Sequence, residues 1–211
     1  TPPVRPGSSQ AVLFEDAPIV AKKSHIGQAV RPGSQRGGDI SVPEVSAASA
    51  LAANLFNEGT FFELFAERRW PIASITKLVS AVVVSKNFPM HATITFAAED
   101  FPVQFSENGL REGESYSVQD LFEAMLVESS NQAAEALARF WGRERFVQAM
   151  NRLAGEWGLN ETHFDDPTGL SASNQSTAQD LLRLARTIYE KHPEIFQITR
   201  QESAALTELN S

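Results

Sequence analysis

Cysteine is absent from the 211 residues of this chain. Its absence excludes a thiol nucleophile, a disulfide framework and a metal site built from thiolates. The four histidines are scattered and show no H-E-x-x-H spacing, so we expect no metal site. A G-x-S-x-G motif is also missing, which argues against the serine elbow of an α/β-hydrolase.

Basic residues are too few for a nucleic-acid surface. Lysine and arginine number 18 against 26 aspartates and glutamates, which gives a net charge of −8. Binding to phosphates needs clustered positive charge, so we expect no nucleic-acid partner. No apolar run is long enough to span a membrane, and no signal peptide is recognisable. The sequence begins at Thr1 and not at a methionine, which leaves room for a targeting segment before it.

The chain divides by composition into a linker and a domain. Residues 1–42 are rich in proline, glycine, serine and glutamine and are predicted to be a disordered linker or stalk. Residues 43–211 are predicted to form the globular part. Segments 47–56 and 60–65, parted by a glycine-containing turn, predict a β-hairpin, and residues 93–96 predict a short strand.

The second half of the domain is predicted to be helical. Ser117 and Asp120 resemble a capping box at the start of an apolar helical stripe. Thr177 and Asp180 give a similar start further along the chain. The predicted helices after the first are 132–140, 143–157 and one from about 177 to about 191. Their apolar stripes indicate a core and not a ligand or partner surface.

The strongest chemical signal is the segment Pro71-Ile72-Ala73-Ser74-Ile75-Thr76-Lys77-Leu78-Val79. Pro71 disfavours helix just before the motif, so we expect a helix over 74–85 that begins at the serine. Ser74 and Lys77 then share one helix face, where a lysine of lowered pKa can take the serine proton. Amide N–H groups at the helix start favour an oxyanion. The predicted buried stripe of this helix is Ile75, Leu78, Val79, Val82 and Val83.

Two S-x-N triplets are candidates for a second part of the site, and each motif also has a structural alternative. Ser106-Glu107-Asn108 lies beside a glycine and is most simply an Asx-type turn. Ser129-Ser130-Asn131 lies between two apolar helices and can aim a hydroxyl and an amide into a cleft, or it can cap the next helix. An S-x-x-K spacing should occur by chance roughly once in such a chain, and its alternative is an exposed serine beside a solvated lysine.

Taken together, these residues resemble the penicilloyl-serine transferase superfamily. Within it they are similar to the D-alanyl-D-alanine carboxypeptidases and endopeptidases of peptidase family S11, the low-molecular-mass penicillin-binding proteins. The resemblance runs in order from about residue 48 to about residue 201. It implies an α/β (α+β) fold of the β-lactamase and transpeptidase type, an antiparallel sheet with flanking helices. Only the first two sheet strands and the helical region are expected in this sequence.

The resemblance implies roles for four residues. Ser74 is similar to the acylated nucleophile of the family, and Lys77 to the base that activates it. Ser129 matches the serine that relays a proton towards the leaving group. Asn131 matches the amide that helps to hold the substrate backbone and to orient Lys77. The block Asp166-Pro167-Thr168-Gly169-Leu170 matches a family feature that we interpret as a structural turn.

The third motif of the family, Lys-Thr-Gly, does not occur in this sequence. Pro167-Thr168-Gly169 does not replace it, because proline has no ammonium group to bind a substrate carboxylate. We therefore expect the sequence to be truncated at both ends, with the C-terminal strands of the fold missing. By itself, this piece is expected to be inactive as a carboxypeptidase.

The resemblance also implies the reaction and its setting. The expected reaction is acyl transfer from a D-Ala-D-Ala peptide bond, or from a D-amino-acid cross-link, in peptidoglycan. β-Lactam antibiotics are expected as inhibitors, and no metal or organic cofactor is implied. The expected location is extracytoplasmic, in the periplasm or on the outer face of the cytoplasmic membrane, with any membrane anchor outside this chain.

Two alternatives remain open at this point. A class A-like β-lactamase of the same fold would carry an aspartate where Ser130 stands, and a deacylating glutamate further on. A non-catalytic wall-binding or scaffold protein would keep the fold without the third motif.

Overall fold

The computed structural model of the protein describes residues 45–57, 59–101 and 110–210. The predicted linker 1–42 and the triplet Ser106-Glu107-Asn108 lie outside the described residues. The strands are β1 (Ala50–Ala53), β2 (Thr60–Leu64), β3 (Trp70–Pro71), β4 (Thr93–Thr95), β5 (Ser115–Ser117) and β6 (Gln175–Ser176). The helices are α1 (Thr76–Asn87), α2 (Val118–Val127), α3 (Asn131–Trp141), α4 (Arg143–Glu156), α5 (Ala178–Lys191) and α6 (Pro193–Ile198).

The predicted hairpin is confirmed. Strands β1 and β2 are antiparallel, with Ala50 opposite Leu64 and a bulge at Ala53. Helix α5 packs against this hairpin, and the Arg186 guanidinium donates hydrogen bonds to the backbone carbonyls of Asn54, Leu55 and Asn57. Because a guanidinium carries several donors in a fixed fork, one side chain fastens the whole turn to the helix.

The strands do not form one continuous sheet in the described part of the chain. They form three separate antiparallel pairs, β1 with β2, β3 with β6, and β4 with β5. The strand predicted at 93–96 is thus present, and its partner β5 is a strand that the sequence analysis had not identified. The short β3–β6 pair joins Trp70 to Ser176 and so brings a late segment beside the start of α1.

Helix α1 is the centre of the core. It packs against α2, α3, α4 and α6, and its residues Val79 to Val84 are all buried. The prediction of a single buried stripe was therefore too narrow. It was also wrong at Ile75, which is 42% exposed. Ile75 lies in a 3₁₀ turn, Ala73–Ile75, before α1, and the tighter turn rotates its side chain away from the helix face.

The four helices predicted after residue 117 are confirmed, with their caps. The Ser117 hydroxyl accepts a hydrogen bond from the Asp120 N–H at 3.0 Å, and the Thr177 hydroxyl accepts one from the Asp180 N–H at 3.0 Å. Helix α6 was not predicted. It has only six residues, begins at Pro193 and is held through the buried Ile195, so it depends on packing and not on its own propensity.

An ion pair fixes α3 against the β4 side of the domain. The Asp100 carboxylate is fully buried and accepts two hydrogen bonds of 2.8 Å from the Arg139 guanidinium. Arg139 also donates to the backbone carbonyl of Thr95 at 2.7 Å. The hydrogen bond with Asp100 raises the pKa of Arg139. Since α3 begins at Asn131, this pair helps to set the position of a predicted site residue.

No helix in the described ranges is both long and apolar enough to cross a membrane.

Candidate active site

The predicted nucleophile lies in a strained turn at the start of α1. Ser74 is the middle residue of the 3₁₀ turn Ala73–Ile75, and its side chain is exposed. Ala73 has a φ of +46°, a left-handed conformation that costs a residue with a Cβ roughly 1–2 kcal/mol. Such a conformation persists only where the surrounding structure holds it. The helix start predicted from Pro71 is thus present, with a 3₁₀ turn in front of it.

Lys77 lies one turn further on and is buried, with 3% of its surface exposed. Its Nζ is 3.0 Å from Ser74 Oγ, 2.8 Å from Asn131 Oδ1 and 3.0 Å from the backbone oxygen of Thr168. A buried amine needs such acceptors, because leaving it without them is costly. The alternative of a solvated lysine beside Ser74 is therefore excluded.

The triplet Ser129-Ser130-Asn131 both caps a helix and brings an amide to Lys77. Ser130 is fully buried and caps α3, its hydroxyl accepting a hydrogen bond from the Ala133 N–H at 3.2 Å. Asn131 is then the first residue of α3 and contacts Lys77. Ser129 is exposed, with a φ of +56°. The hydrogen bonds of Lys77 thus join Ser74 and Asn131, and Ser129 lies two residues from this network.

The Thr168 carbonyl contacts Lys77, although no sequence motif predicts it as a part of the site. Its loop is organised by Asp166, whose Oδ1 accepts hydrogen bonds from the Thr168 N–H, the Thr168 hydroxyl and the Gly169 N–H at 2.7, 2.7 and 2.6 Å. Asp166 Oδ2 accepts a fourth from the Ser171 N–H at 2.6 Å. An aspartate followed by Pro-x-Gly is the signal for such a turn, but it does not show which carbonyl the turn will present.

The same hydrogen bonds set the charge of Asp166. Burial alone would raise the pKa of this carboxyl group, but the donors from Thr168, Gly169 and Ser171 lower it below its usual value. A group whose pKa is lowered in the folded state stabilises the fold above its unfolded pKa and loses that contribution as the pH falls through the folded pKa. The Asp166 carboxyl group therefore remains ionised throughout the neutral pH range.

The loop and the Ala73–Ile75 turn are in direct backbone contact. Gly169 has a φ of +89°, and a Cβ built on it would lie 1.9 Å from the carbonyl oxygen of Ala73. No side chain fits in that space. On the same side, the Ser80 hydroxyl donates a 2.7 Å hydrogen bond to the carbonyl of Pro167. The 166–169 segment thus packs closely against both the Ala73–Ile75 turn and helix α1.

Comparison with known proteins places this chain in a family. The family model of the D-alanyl-D-alanine carboxypeptidases, peptidase family S11, matches residues 38–211. This chain belongs to that family. A D-alanyl-D-alanine endopeptidase of Escherichia coli is 32% identical over 173 residues, which are 79% of this chain and 56% of the relative. The chain thus spans little more than half the length of this curated relative.

Solved structures of the same family share the fold. A D-alanyl-D-alanine carboxypeptidase of Mycobacterium tuberculosis superposes with a TM-score of 0.72 at 27% identity, over 84% of this chain and 70% of the other. Penicillin-binding protein D2 of Listeria monocytogenes, solved in its ampicillin-bound form, gives 0.68 at 27% identity over 80% and 73%. The predicted fold class, an α/β fold of the penicillin-binding-protein type, is confirmed.

The contact between Gly169 and Ala73 predicts a large difference between two glycine substitutions. Gly113 has nearly the same φ, +87°, but a Cβ there meets nothing within 4 Å. Gly113→Ala should then cost only the left-handed strain, about 1 kcal/mol, whereas Gly169→Ala should cost at least about 3 kcal/mol because the loop must move off the turn. The measurement is the free energy of unfolding in urea. Equal losses for the two variants would contradict the contact.

Proposed function

We propose that this chain carries the nucleophile and base of a serine-type D-Ala-D-Ala carboxypeptidase or endopeptidase that acts on the stem peptides of peptidoglycan. The observation that carries the proposal is the position of the Lys77 amine, buried and within 3.0 Å of both Ser74 Oγ and Asn131 Oδ1. The family relationship and the endopeptidase name of the Escherichia coli relative support this substrate class.

In the first step, Ser74 Oγ attacks the carbonyl carbon of the D-Ala-D-Ala peptide bond and transfers its proton to Lys77 Nζ. A neutral amine has two N–H groups and one lone pair. Asn131 Oδ1 and the Thr168 carbonyl accept hydrogen bonds and cannot donate them, so they suit the two N–H groups and direct the lone pair at Ser74. Ser74 is therefore activated only while Lys77 keeps these hydrogen bonds.

The second step expels D-alanine and leaves an acyl-enzyme on Ser74. The departing nitrogen must gain a proton, and we assign its delivery to the Ser129 hydroxyl, which is exposed at the junction of α2 and α3. Ser129 regains a proton from the Lys77 ammonium formed in the first step, so that Lys77 is neutral again before water attacks the ester. Asn131 lies two residues away and also contacts Lys77, so one short segment serves both proton transfers. Water then hydrolyses the ester and restores Ser74.

The proposed setting follows from the substrate. Peptidoglycan lies outside the cytoplasmic membrane, so we propose an extracytoplasmic location, in the periplasm or on the outer membrane face. β-Lactams are proposed as inhibitors that acylate Ser74, supported by the ampicillin-bound form of the Listeria monocytogenes relative.

The class A-like β-lactamase is a weaker candidate. Its second motif would place a carboxylate at position 130, but Ser130 is fully buried and its hydroxyl is engaged in capping α3. The relatives described above are named as peptidases or penicillin-binding proteins. A non-catalytic wall-binding role predicts that Ser74 is never acylated, which the first experiment below tests.

Ser74 should be the residue that is acylated in the full-length protein. After incubation with a fluorescent penicillin, mass spectrometry should place the adduct on the Ser74 peptide. Ser74→Ala should abolish labelling, whereas Ser85→Ala, on the same helix, should leave it unchanged. Labelling that survives Ser74→Ala would refute the assignment, and an unlabelled wild-type protein would favour the non-catalytic alternative.

Replacement of the base by a permanently charged group should stop acylation. A guanidinium remains protonated, so Lys77→Arg should form no adduct with the fluorescent penicillin. Lys86→Arg, in the last turn of the same helix, is the matched control and should acylate at the wild-type rate. A normal rate in Lys77→Arg would show that another group takes the Ser74 proton.

The two S-x-N serines should differ sharply in their effect on turnover. Ser129→Ala should lower D-Ala release from a diacetyl-Lys-D-Ala-D-Ala peptide by at least about a hundredfold, the usual contribution of a positioned proton donor. Ser106→Ala, from the other triplet, should leave the rate nearly unchanged. The reverse order would mean that the proton relay belongs to Ser106.

A further inference from the structure

Asn174 is a fully buried amide whose hydrogen-bonding capacity is entirely used. Its Oδ1 accepts hydrogen bonds from the N–H groups of Asp165 and Asp166 at 2.8 and 3.1 Å. Its Nδ2 donates to the carbonyl of Asp166 at 2.9 Å and to the Thr76 hydroxyl at 3.1 Å. One side chain therefore connects the start of the Thr168 loop to the first residue of α1.

The backbone of Asn174 reaches the other end of the nucleophile turn. Its carbonyl accepts a hydrogen bond from the Ile72 N–H at 3.0 Å. Ile72 directly precedes the turn Ala73–Ile75, and Thr76 directly follows it. Asn174 thus contacts the chain on both sides of Ser74. Ala73, which has a left-handed backbone conformation, lies between the two contacts. Such a conformation persists only where the surrounding residues restrain it.

Asn174 also binds the segment that leads to the Thr168 carbonyl, a hydrogen-bond acceptor of Lys77. Asp165 and Asp166, whose N–H groups bind Asn174, lead into the turn that presents the Thr168 carbonyl to Lys77 Nζ at 3.0 Å. We infer that Asn174 is a positioning residue for acylation, which sets the Ser74 turn and the Thr168 carbonyl relative to each other. The inference rests on the proposed function, because it concerns the rate at which Ser74 is acylated.

Asn151 provides a matched control for this role. It is also an asparagine bound to the same loop, and it accepts from the Phe164 N–H at 3.0 Å and donates to the Phe164 carbonyl at 2.7 Å. Its partners are the carbonyl of Val147 in helix α4 and the backbone of Phe164, which belong neither to the Ala73–Ile75 turn nor to the turn that presents the Thr168 carbonyl. Loss of the Asn151 amide should loosen the loop at its far end without releasing the nucleophile turn.

The experiment compares Asn174→Ala with Asn151→Ala in the full-length protein. Stopped-flow mixing with a fluorescent penicillin separates the dissociation constant of the initial complex from the first-order acylation rate constant. Asn174→Ala should lower the acylation rate constant at least about tenfold and leave the dissociation constant within about twofold, because misplaced reacting groups slow chemistry more than binding. Asn151→Ala should lower the melting temperature and leave the acylation rate constant within about twofold of wild type.

Thr76→Val is a second variant. It keeps the shape of the buried side chain and removes the hydroxyl that accepts a hydrogen bond from Asn174 Nδ2. It should also lower the acylation rate constant. In the double variant Thr76→Val/Asn174→Ala, the loss should be no greater than in Asn174→Ala alone, since both substitutions break the same contact. If Asn174→Ala does not fold, the acylation rate constant of the single variant Thr76→Val tests the inference.

The outcomes distinguish a failure of the proposed function from a failure of the role inferred for Asn174. A wild-type protein that is not acylated overturns the proposed function and, with it, this inference. An acylated wild type overturns only this inference if the variants at Asn174 and Thr76 acylate at the wild-type rate. An equal loss of rate in Asn151→Ala also overturns it, because any disturbance of the loop would then have the same effect.

Discussion

The burial of one amine is the constraint on which the rest of the site depends. Lys77 is 3% exposed, and its Nζ must find hydrogen-bond partners inside the protein. Two of them come from distant parts of the chain, Asn131 at the start of α3 and the Thr168 carbonyl in a late loop. Ser74 is another of its partners. Because these groups must all meet at one nitrogen, α1, α3 and the loop have little freedom to shift independently.

Strain in the backbone is concentrated where these segments meet. Of the three non-glycine residues with positive φ in the described part of the chain, Ala73 precedes Ser74, and Ser129 is itself a proposed site residue. Such conformations are unfavourable for an isolated segment and need a rigid environment. Around Ala73, the Asp166 carboxylate and the Asn174 amide provide it, with four hydrogen bonds each to groups that are mostly backbone. Rigidity of the late loop therefore stabilises the early turn.

The sequence predicted Ser74 and Lys77 from their helical spacing, and Asn131 from an S-x-N triplet that resembles the second motif of the family. In the structure the Lys77 amine lies within hydrogen-bonding distance of both Ser74 and Asn131. The Thr168 carbonyl could not be predicted, since every residue has a carbonyl and only the folded turn shows which one faces Lys77. For the same reason the Asp166 block was predicted as a turn but not as a partner of the base. Ile75 was misplaced because the helical period does not hold through a 3₁₀ turn.

The site has a buried half and an exposed half, and this division fits the proposed chemistry. Lys77, Thr168 and Asn174 are buried, so the amine that we propose as the base is kept away from water and held by fixed acceptors. Ser74 and Ser129, which would touch the substrate, are exposed. An exposed hydroxyl is readily reached by a large polymeric substrate but is unreactive unless a base is positioned behind it. In the proposed mechanism the buried half of the site therefore activates the nucleophile and the exposed half admits the substrate, and the Ala73–Ile75 turn lies between the two halves.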